Sequence, residues 1–297
     1  MQKVLTVVHS TNDNELIKKC SKLIKDYLLS LNITEVKKNS LNDQIAVDYF
    51  FNDPANACSY KGLRRRLSTY PVDYCLQNKA KRVKKILFSD MDGTLIVNET
   101  LNDLAKYLGK GDQVKELTAL GMKGLLDFST SLASRVHLLA GLKINSLEET
   151  KKNITLINGA KKLINTLKKK NMTSVLVTGG FKPVSTYLKN MLKIDYEYSN
   201  TFGIQGDEFT GKVIPPVVSA QYKATILKKI VAENNIDIEQ TIAIGDAAND
   251  LSMLLEAGLG VAFMGTDVVK STIDHQINYT DLTSILYYLG ISKKDFA

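Results

Sequence analysis

The sequence predicts an α/β fold in which a largely parallel sheet carries an inserted helical cap and follows a small α+β unit. Four apolar runs, at residues 84–90, 173–180, 241–250 and 260–263, alternate with helical patterns. Their apolar residues are continuous rather than alternating, which is typical of parallel strands covered on both faces. About 75 residues separate the first two runs, too many for an ordinary crossover, so a helical insertion is expected there.

The residues before position 80 follow a different order. We predict strands at 3–8, 34–38, 44–51 and 72–76 and helices at 14–31 and 55–67, from apolar spacings of three and four and from β-branched runs. This βαββαβ order is that of a ferredoxin-like split motif. Gly62 is the only glycine before Gly93, whereas the chain has 18. We therefore predict domains at 1–79 and 80–297, with the cap at about 98–152.

A hairpin is expected late in the second domain. The stretch "YEYSNTFGIQGDEFTGKVI" at 196–214 has Gly206 and Asp207 near its centre. Glycine beside aspartate is a frequent hairpin turn, which makes this segment two antiparallel strands.

Composition limits the classes of function. The chain has 297 residues, 44% of them hydrophobic, and a formal net charge of +8 that comes mainly from scattered lysines. Dense basic clusters occur only at 64–66 and 78–85, outside any nucleic-acid motif, so we expect no nucleic-acid partner. No apolar stretch approaches the length of a membrane span. Three cysteines without ligand spacing predict a reduced, cytoplasmic protein.

Polar residues follow three of the apolar strands. Asp90 and Asp92 follow the first, the run from Thr178 to Gly180 ends the second, and the stretch from Asp246 to Asp250 follows another. A single aspartate in such a place is commonly a helix cap. Because ligands bind beyond the carboxyl ends of parallel strands, the recurrence predicts one shared site.

These carboxylates favour a particular chemistry. Asp90 and Asp246 offer hard oxygen ligands without histidine or cysteine, a set that suits Mg²⁺. An aspartate beside such an ion can be a nucleophile that forms an aspartyl-phosphate. Asp92 could then protonate the leaving oxygen and later activate water. Gly93, directly after Asp92, lets the backbone turn tightly and approach a phosphate group.

Three further features suit a phosphate group. Thr94 adds a hydroxyl donor to the first cluster. Thr178 and the Gly179 N–H precede the helical stretch "KPVSTYLKNML", so they form an anion site at a helix N-terminus. Lys223, in "AQYKATIL", could supply the positive charge that phosphoryl transfer requires.

Four motifs resemble those of the haloacid dehalogenase superfamily of phosphotransferases: "DMDGT", "VTGG", the lysine of "AQYKATIL" and "GDAANDLSM". With "GMKG" and "LDFSTSLASRV", the chain further resembles the phosphoserine phosphatase family. The resemblance covers roughly residues 84–290. It implies a Rossmann-like core and Mg²⁺-dependent hydrolysis of O-phospho-L-serine to L-serine, with an aspartyl-phosphate intermediate.

The resemblance also implies residue roles. Asp90 is the nucleophile, Asp92 the general acid and base, and Mg²⁺ is held by Asp90, the Asp92 carbonyl and Asp246. The other implied roles are phosphate binding by Thr178, Gly179, Gly180 and Lys223, contact with the phosphoryl region by Asn249, and support of the metal site by Asp250 and Thr94. In the cap, Glu99 binds the substrate ammonium, Arg135 its carboxylate, and Met122 and Phe128 line the pocket.

The cap pair also has a physical rationale. Phosphoserine carries an ammonium and a carboxylate on one carbon, so its pocket needs one acid and one arginine, whose fork matches a carboxylate. Glu99 and Arg135 meet that need. Two positions depart from the family pattern: Gly93 stands where serine is frequent, and Thr178 stands where serine is usual.

The N-terminal segment resembles an ACT-type domain, a class that often binds amino acids and dimerises. Here "HSTNDNE", after the first strand, lacks the expected glycine. We therefore expect a structural or dimerising role for residues 1–79.

Two alternatives stay open. The first is a related phosphatase that acts on another small phosphomonoester, such as phosphohomoserine or a sugar phosphate. The second is an amino-acid-sensing regulatory protein with a vestigial core, although the complete set of acids speaks against it.

Overall fold

The computed structural model describes residues 1–43 and 45–297. Its N-terminal unit contains β1 (Gln2–His9), α1 (Asn14–Ser30), β2 (Val36–Asn42), β3 (Ala46–Asn52), α2 (Tyr60–Leu67) and β4 (Val72–Asn78). The strands lie in the order β2-β3-β1-β4 and every pair is antiparallel. This is the ferredoxin-like arrangement that the sequence predicted.

Strand β2 runs from Val36 to Asn42 rather than over 34–38, and one helix start also differs from the prediction. Helix α2 begins at Tyr60 rather than Ala55, because the Asp53 carboxylate accepts hydrogen bonds from the N–H groups of Ala57 and Cys58 and holds that stretch in a turn. Asp and Asn favour such turns over helix interiors. The predicted start of the third strand, Gln44, lies outside the described residues.

The second sheet segment is parallel, as predicted. Its strands are β5 (Ile86–Ser89), β6 (Thr173–Phe181), β7 (Tyr196–Gln205), β8 (Glu208–Ile214), β9 (Thr241–Gly245), β10 (Gly260–Phe263) and β11 (His275–Ile277). They lie in the order β11-β10-β9-β5-β6-β7-β8. Only β7 and β8 pair antiparallel, and the turn between them at Gly206 (φ +62°) and Asp207 confirms the hairpin.

Four helices form an insertion between β5 and β6: α3 (Thr100–Lys106), α4 (Gly111–Met122), α5 (Phe128–His137) and α6 (Ser146–Lys152). The chain enters and leaves this helical insertion through two linkers that pair with each other. The Val97 N–H donates to the Thr155 carbonyl, and the Ile157 N–H donates to the Leu95 carbonyl, each at 2.9 Å. The paired linkers therefore connect the helical insertion to the sheet.

The other helices accompany the sheet. They are α7 (Ala160–Lys169), α8 (Lys182–Leu192), α9 (Ala220–Glu233), α10 (Leu251–Glu256), α11 (Asp267–Thr272) and α12 (Ser284–Tyr288). Across residues 1–43 and 45–297, no helix combines the length and the apolar character needed to cross a membrane.

The two sheet segments join into one sheet of eleven strands. Strand β4 pairs antiparallel with β11, with Tyr74 opposite Gln276. Beside this seam, the Asp73 carboxylate accepts hydrogen bonds from the three successive N–H groups of residues 278–280. We call this region, together with the buried contacts of Arg82 with Asp48, Tyr287 and Tyr288, the junction.

Candidate active site

Three strand ends meet in one pocket. Strand β5 lies between β9 and β6, so that Ser89 pairs with Ile244 on one side and with Leu176 on the other. The residues that follow therefore meet at the same edge. Oxygen atoms of Asp90, Asp246 and Asp250 all lie within 4.8 Å of one another. The sequence-based expectation that the strand ends converge is confirmed.

One lysine partly balances this acidic cluster. Lys223, fully buried, places its Nζ 2.6 Å from Asp90 Oδ1 and 2.6 Å from Asp250 Oδ1. Burial alone would lower the pKa of Lys223, but the Asp250 and Asp90 carboxylates raise it, so the lysine is charged. Burial, aided by the Asp250 charge, raises the pKa of Asp90 to about 6 even though Lys223 opposes the shift.

The residual negative charge fits a divalent cation. Burial, followed by the charges of Asp250 and Asp90, raises the pKa of Asp246 well above its usual range. Clustered carboxylates behave in this way until a cation neutralises them or one takes a proton. The donors are all carboxylate oxygens, the ligand type that hard divalent ions prefer. Asp90 and Asp246 thus fit a metal.

Neighbouring groups hold Asp246 in place. Asp250 Oδ2 accepts hydrogen bonds from the N–H groups of Asp246 and Ala247, each at 3.1 Å. The Thr94 hydroxyl donates a hydrogen bond to Asp246 Oδ1 at 3.2 Å. Gly93 has φ +68°, and a Cβ there would lie 2.7 Å from Asp246 Oδ2. The close approach of the two strand ends therefore requires glycine at position 93 in this chain.

Asp92 has a different environment. Its Oδ2 accepts a hydrogen bond from the Thr100 hydroxyl at 3.0 Å, while its buried Oδ1 has no partner among the described residues. Burial, then the charges of Glu99 and Asp90, raise the pKa of Asp92 well above its usual range. A carboxyl that holds its proton near neutral pH can act as a general acid.

A second wall of the pocket, formed by Thr178, Gly179 and Gly180 just before α8, suits an anion because it lies at a helix N-terminus; we call it the anion wall. Thr178 Oγ1 accepts the Gly180 N–H at 2.9 Å, and the chain then enters α8. The buried Asn200 donates to the Gly179 carbonyl at 2.8 Å and accepts the Val218 N–H at 2.8 Å, which fixes this turn.

The helical insertion closes the pocket. Glu99, Met122, Phe128 and Arg135 line the same cavity, of about 50 Å³, as Asp90 and Asp92. A Cβ on Gly179 would lie 2.7 Å from Phe128 Cζ, so the helical insertion packs directly on the anion wall.

Glu99 and Arg135 face the pocket without pairing. No ion pair joins them in the part of the chain that the structure describes. Burial and the Asp90 charge raise the pKa of Glu99 to about 7, although Arg135 opposes the shift. Arg135 Nε donates to the Ser131 carbonyl at 3.2 Å and Nη1 to the Thr118 hydroxyl at 3.3 Å. The two charges are thus available to opposite charges on a ligand.

Most of the predicted site residues line this pocket: Asp90, Asp92, Glu99, Met122, Phe128, Arg135, Thr178, Gly179, Gly180, Asp246 and Asn249. Three further predicted residues do not line the pocket but make hydrogen bonds to residues that do. They are Lys223, which bonds to Asp90, and Asp250 and Thr94, which bond to Asp246.

Sequence reasoning missed several residues. Leu101, Thr118, Gly121 and Ala247 also line the pocket, while Thr100 and Asn200 support it. Thr118 lies four residues before Met122 on α4, a helical spacing that could have identified it.

Comparison with known proteins gives consistent relatives. A family model described as haloacid dehalogenase-like hydrolase matches residues 87–255. A probable phosphoserine phosphatase of Schizosaccharomyces pombe is 39% identical over 248 residues, which cover 82% of this chain and 82% of the relative.

Solved structures agree. A haloacid dehalogenase family hydrolase of Salmonella enterica serovar Typhi superposes with a TM-score of 0.84 at 28% identity, over 97% of this chain and 98% of that one. A substrate-bound phosphoserine phosphatase complex superposes with a TM-score of 0.67 at 37% identity, over 69% of this chain and 98% of that one.

Proposed function

The chain belongs to the haloacid dehalogenase-like hydrolases, and on that premise we propose that it hydrolyses O-phospho-L-serine to L-serine and inorganic phosphate. One observation supports the choice of phosphoserine as the substrate. The pocket that holds Asp90 and Asp92 also holds a carboxylate, Glu99, and a guanidinium, Arg135, which do not pair with each other. An α-amino acid presents the two complementary charges on one carbon atom.

The first half-reaction uses the two aspartates of the β5 end. A carboxylate oxygen of Asp90 forms a bond to phosphorus while the ester bond to the serine Oγ breaks. The Asp92 carboxyl, whose pKa is raised by burial and by Glu99 and Asp90, gives its proton to that leaving oxygen. The products at this stage are serine and an Asp90 aspartyl-phosphate.

The second half-reaction reverses the role of Asp92. As a carboxylate, it takes a proton from water while the water oxygen attacks phosphorus, and the bond between phosphorus and the Asp90 oxygen breaks. Phosphate leaves and both aspartates return to their starting states. In this proposal the phosphoryl oxygens are held by the Thr178 hydroxyl, the Gly179 N–H, Asn249 and the charge of Lys223. Gly180 lines the pocket beside them, with its N–H bonded to Thr178 Oγ1.

The proposed metal is Mg²⁺, held by Asp90, Asp246 and the Asp92 carbonyl. When bound, it neutralises charge on the phosphoryl group and on the acidic cluster. Lys223 keeps Asp90 oriented, and Asp250 keeps the loop of Asp246 in place.

The test is release of inorganic phosphate from O-phospho-L-serine, with and without Mg²⁺, beside a panel of phosphohomoserine, O-phosphoethanolamine and sugar phosphates. We expect metal-dependent turnover with a clear preference for phosphoserine. Equal or better turnover of a substrate without an α-amino acid group would reassign the substrate. Amino-acid binding without turnover of any ester would indicate a regulatory protein.

We also propose the organisation of the chain. Residues 1–79 form an ACT-like domain and residues 80–297 the phosphatase, with its cap at about 98–152. The N-terminal domain supports a homodimer, for which β2 offers an edge strand that, among the described strands, pairs with β3 alone. Light scattering of the purified protein tests the dimer. Three free, buried cysteines support a reducing, cytoplasmic location.

A further inference from the structure

A second cavity lies between the N-terminal unit and the phosphatase core. It has a volume of about 690 Å³, within the usual range of small-molecule sites, and shares no lining residue with the active-site pocket. We call it the cleft. Its walls come from the end of β1 with His9, from both linkers of the helical insertion, and from the C-terminal segment that contains Tyr287 and Lys293.

His9 is the strongest sign of a ligand. Its side chain is only 3% exposed, it lines the cleft, and its buried Nδ1 has no hydrogen-bond partner among the described residues. Burial lowers the pKa of His9, so the ring is neutral at pH 7. A buried polar atom without a partner costs about 1–3 kcal/mol. Because Nδ1 is shielded from solvent, a ligand atom would reach it once the ring turns toward the cleft, and the new hydrogen bond would then recover that cost.

The charges around the cleft favour an anion. Lys162 and Lys293 line it, are exposed, and make no ion pair in the part of the chain that the structure describes. The acidic residue on its wall, Asp281, already accepts hydrogen bonds at Oδ1 from the Thr283 N–H and hydroxyl. The positive side chains thus outnumber the acid.

Exposed apolar side chains in the cleft favour an anion that also has an apolar part. Val97 is 63% exposed, Met264 and Tyr279 are each 48% exposed, and all three line the cleft. Large apolar side chains grouped at the mouth of a cavity are typical of a binding site.

We propose that the cleft binds a small organic anion with an apolar body, held by His9, Lys162 and Lys293. Such a ligand would also contact Val97 and Ile157, one from each linker of the helical insertion. Because these linkers pair through backbone hydrogen bonds and connect the helical insertion to the sheet, occupancy of the cleft would hold them together.

The probe is 1-anilinonaphthalene-8-sulfonate, an aromatic anion whose fluorescence rises in apolar sites. We expect saturable binding to the full-length protein, with about one site. Replacing Lys162 and Lys293 together by Gln should weaken binding about fivefold or more. The matched control replaces the exposed neighbours Lys161 and Lys294, which do not line the cleft, and should bind as wild type does.

A second variant separates a ligand role from a structural one. His9→Leu removes the unpartnered nitrogen at similar side-chain volume, so we expect an unchanged or higher melting temperature together with weaker probe binding. Saturating O-phosphoserine should not displace the probe. Absence of saturable binding, equal affinity in the Lys162/Lys293 and control variants, or displacement by phosphoserine would each overturn the proposed site.

The effect on turnover rests on the proposed function and is measured separately. Saturating probe should lower kcat for phosphoserine by about twofold or more with a smaller change in KM, because paired linkers slow opening of the helical insertion. An unchanged kcat with the cleft occupied would refute control through the linkers. A protein that binds the probe but hydrolyses no ester would refute the proposed function instead.

Discussion

Two buried networks of charged side chains in this protein are built on opposite plans. In the active-site pocket, Lys223 pairs with Asp90 and Asp250, while Asp92 and Asp246 bring further carboxylates. This network has more acids than bases. Asp92 Oδ1 also has no hydrogen-bond partner in the described residues.

The junction network is closed. Arg82 binds both oxygens of Asp48, at 2.7 and 2.8 Å, and also donates to the Thr6 hydroxyl at 3.0 Å. Nη2, which also binds Asp48 and Thr6, reaches the Tyr287 carbonyl at 2.8 Å, and Nε donates to the Tyr288 carbonyl at 3.0 Å. One positive charge faces one negative charge.

The difference indicates what each network is for. A buried ion pair in which every side-chain N and O atom has a hydrogen-bond partner holds elements in one arrangement, here β1 and β3 against α12. A buried cluster with surplus charge and a free acceptor is destabilising until something binds, which is why perturbed carboxylates accumulate at functional sites. We therefore expect catalysis to depend on the incomplete network and assembly of the fold to depend on the complete one.

Asp90→Asn should give the largest effect, because it removes the proposed nucleophile from the incomplete network. We expect turnover of phosphoserine to fall by about 10⁴-fold or more, on the scale of losing a catalytic nucleophile. The free energy of unfolding should change little, since Asn keeps the shape and removes one of several mutually repelling carboxylates. Phosphate release and urea denaturation measure the two effects. Substantial residual turnover would contradict the role of Asp90.

Arg82→Ala should give the reverse pattern. It leaves the Asp48 carboxylate buried without its partner, which typically costs about 3–5 kcal/mol of stability. Protein that remains folded should keep kcat near the wild-type value, since Arg82 does not line the pocket.

The control for Arg82 removes both charges. Arg82→Met combined with Asp48→Leu should be clearly more stable than Arg82→Ala alone, because no unpaired charge stays buried. Equal destabilisation in the two variants would mean that shape rather than charge holds the junction.

Arg135→Ala sharpens the comparison between two arginines. Unlike Arg82, Arg135 binds only a carbonyl and a hydroxyl, so its charge is available to a substrate. We expect a loss of about 2–4 kcal/mol in kcat/KM for phosphoserine and a much smaller loss for O-phosphoethanolamine, which lacks the carboxylate. A parallel loss with both esters would show that Arg135 does not bind the carboxylate.

In the metal-free protein, lowering the pH should change the stability contributed by the two regions in opposite directions. At the junction, His275 packs edge-on against Tyr60 at 4.8 Å, and burial lowers its pKa to about 4 from 6.5. Its stabilising contribution is present above pH 6.5 and is lost as the pH falls toward 4. The raised pKa values of Asp90, about 6, and Glu99, about 7, act in the opposite direction, adding stability as the pH falls below 7.

The variant His275→Gln tests whether His275 makes the protein less stable as the pH falls. Between pH 7 and pH 4.5, wild type should lose about 1–3 kcal/mol of unfolding free energy relative to His275→Gln. Denaturant titrations at a series of pH values measure the difference. Parallel pH profiles for the two proteins would refute a junction role for His275 titration.

The sequence was informative where the determinants are local. Asp90 and Asp246 each directly follow an apolar strand, so their convergence followed from the rule for parallel sheets. Glu99 and Arg135 were identified only through a family resemblance, since an acid at a helix start or an arginine on a helix is ordinary.

The rest depends on contacts between distant parts of the chain. Asn200 reaches Gly179 from the next strand, and Arg82 reaches Tyr287 across 205 residues. A polar residue that completes a hydrogen-bond network has no local pattern. Likewise, the two sheet segments meet at a single ladder pair, Tyr74 with Gln276, and no sequence periodicity predicts a pairing between residues so far apart.

That late pairing also matters during synthesis. Strands β1 to β4 leave the ribosome about two hundred residues before β11 and α12, their neighbours in the finished protein. Until then β4 is an unpaired edge of the sheet, and the sheet face that carries Thr6 and Asp48 is not yet covered by α12. Nascent chains with open edges and uncovered faces are prone to aggregate, so the interval before β11 and α12 are synthesised is when this chain should aggregate most readily.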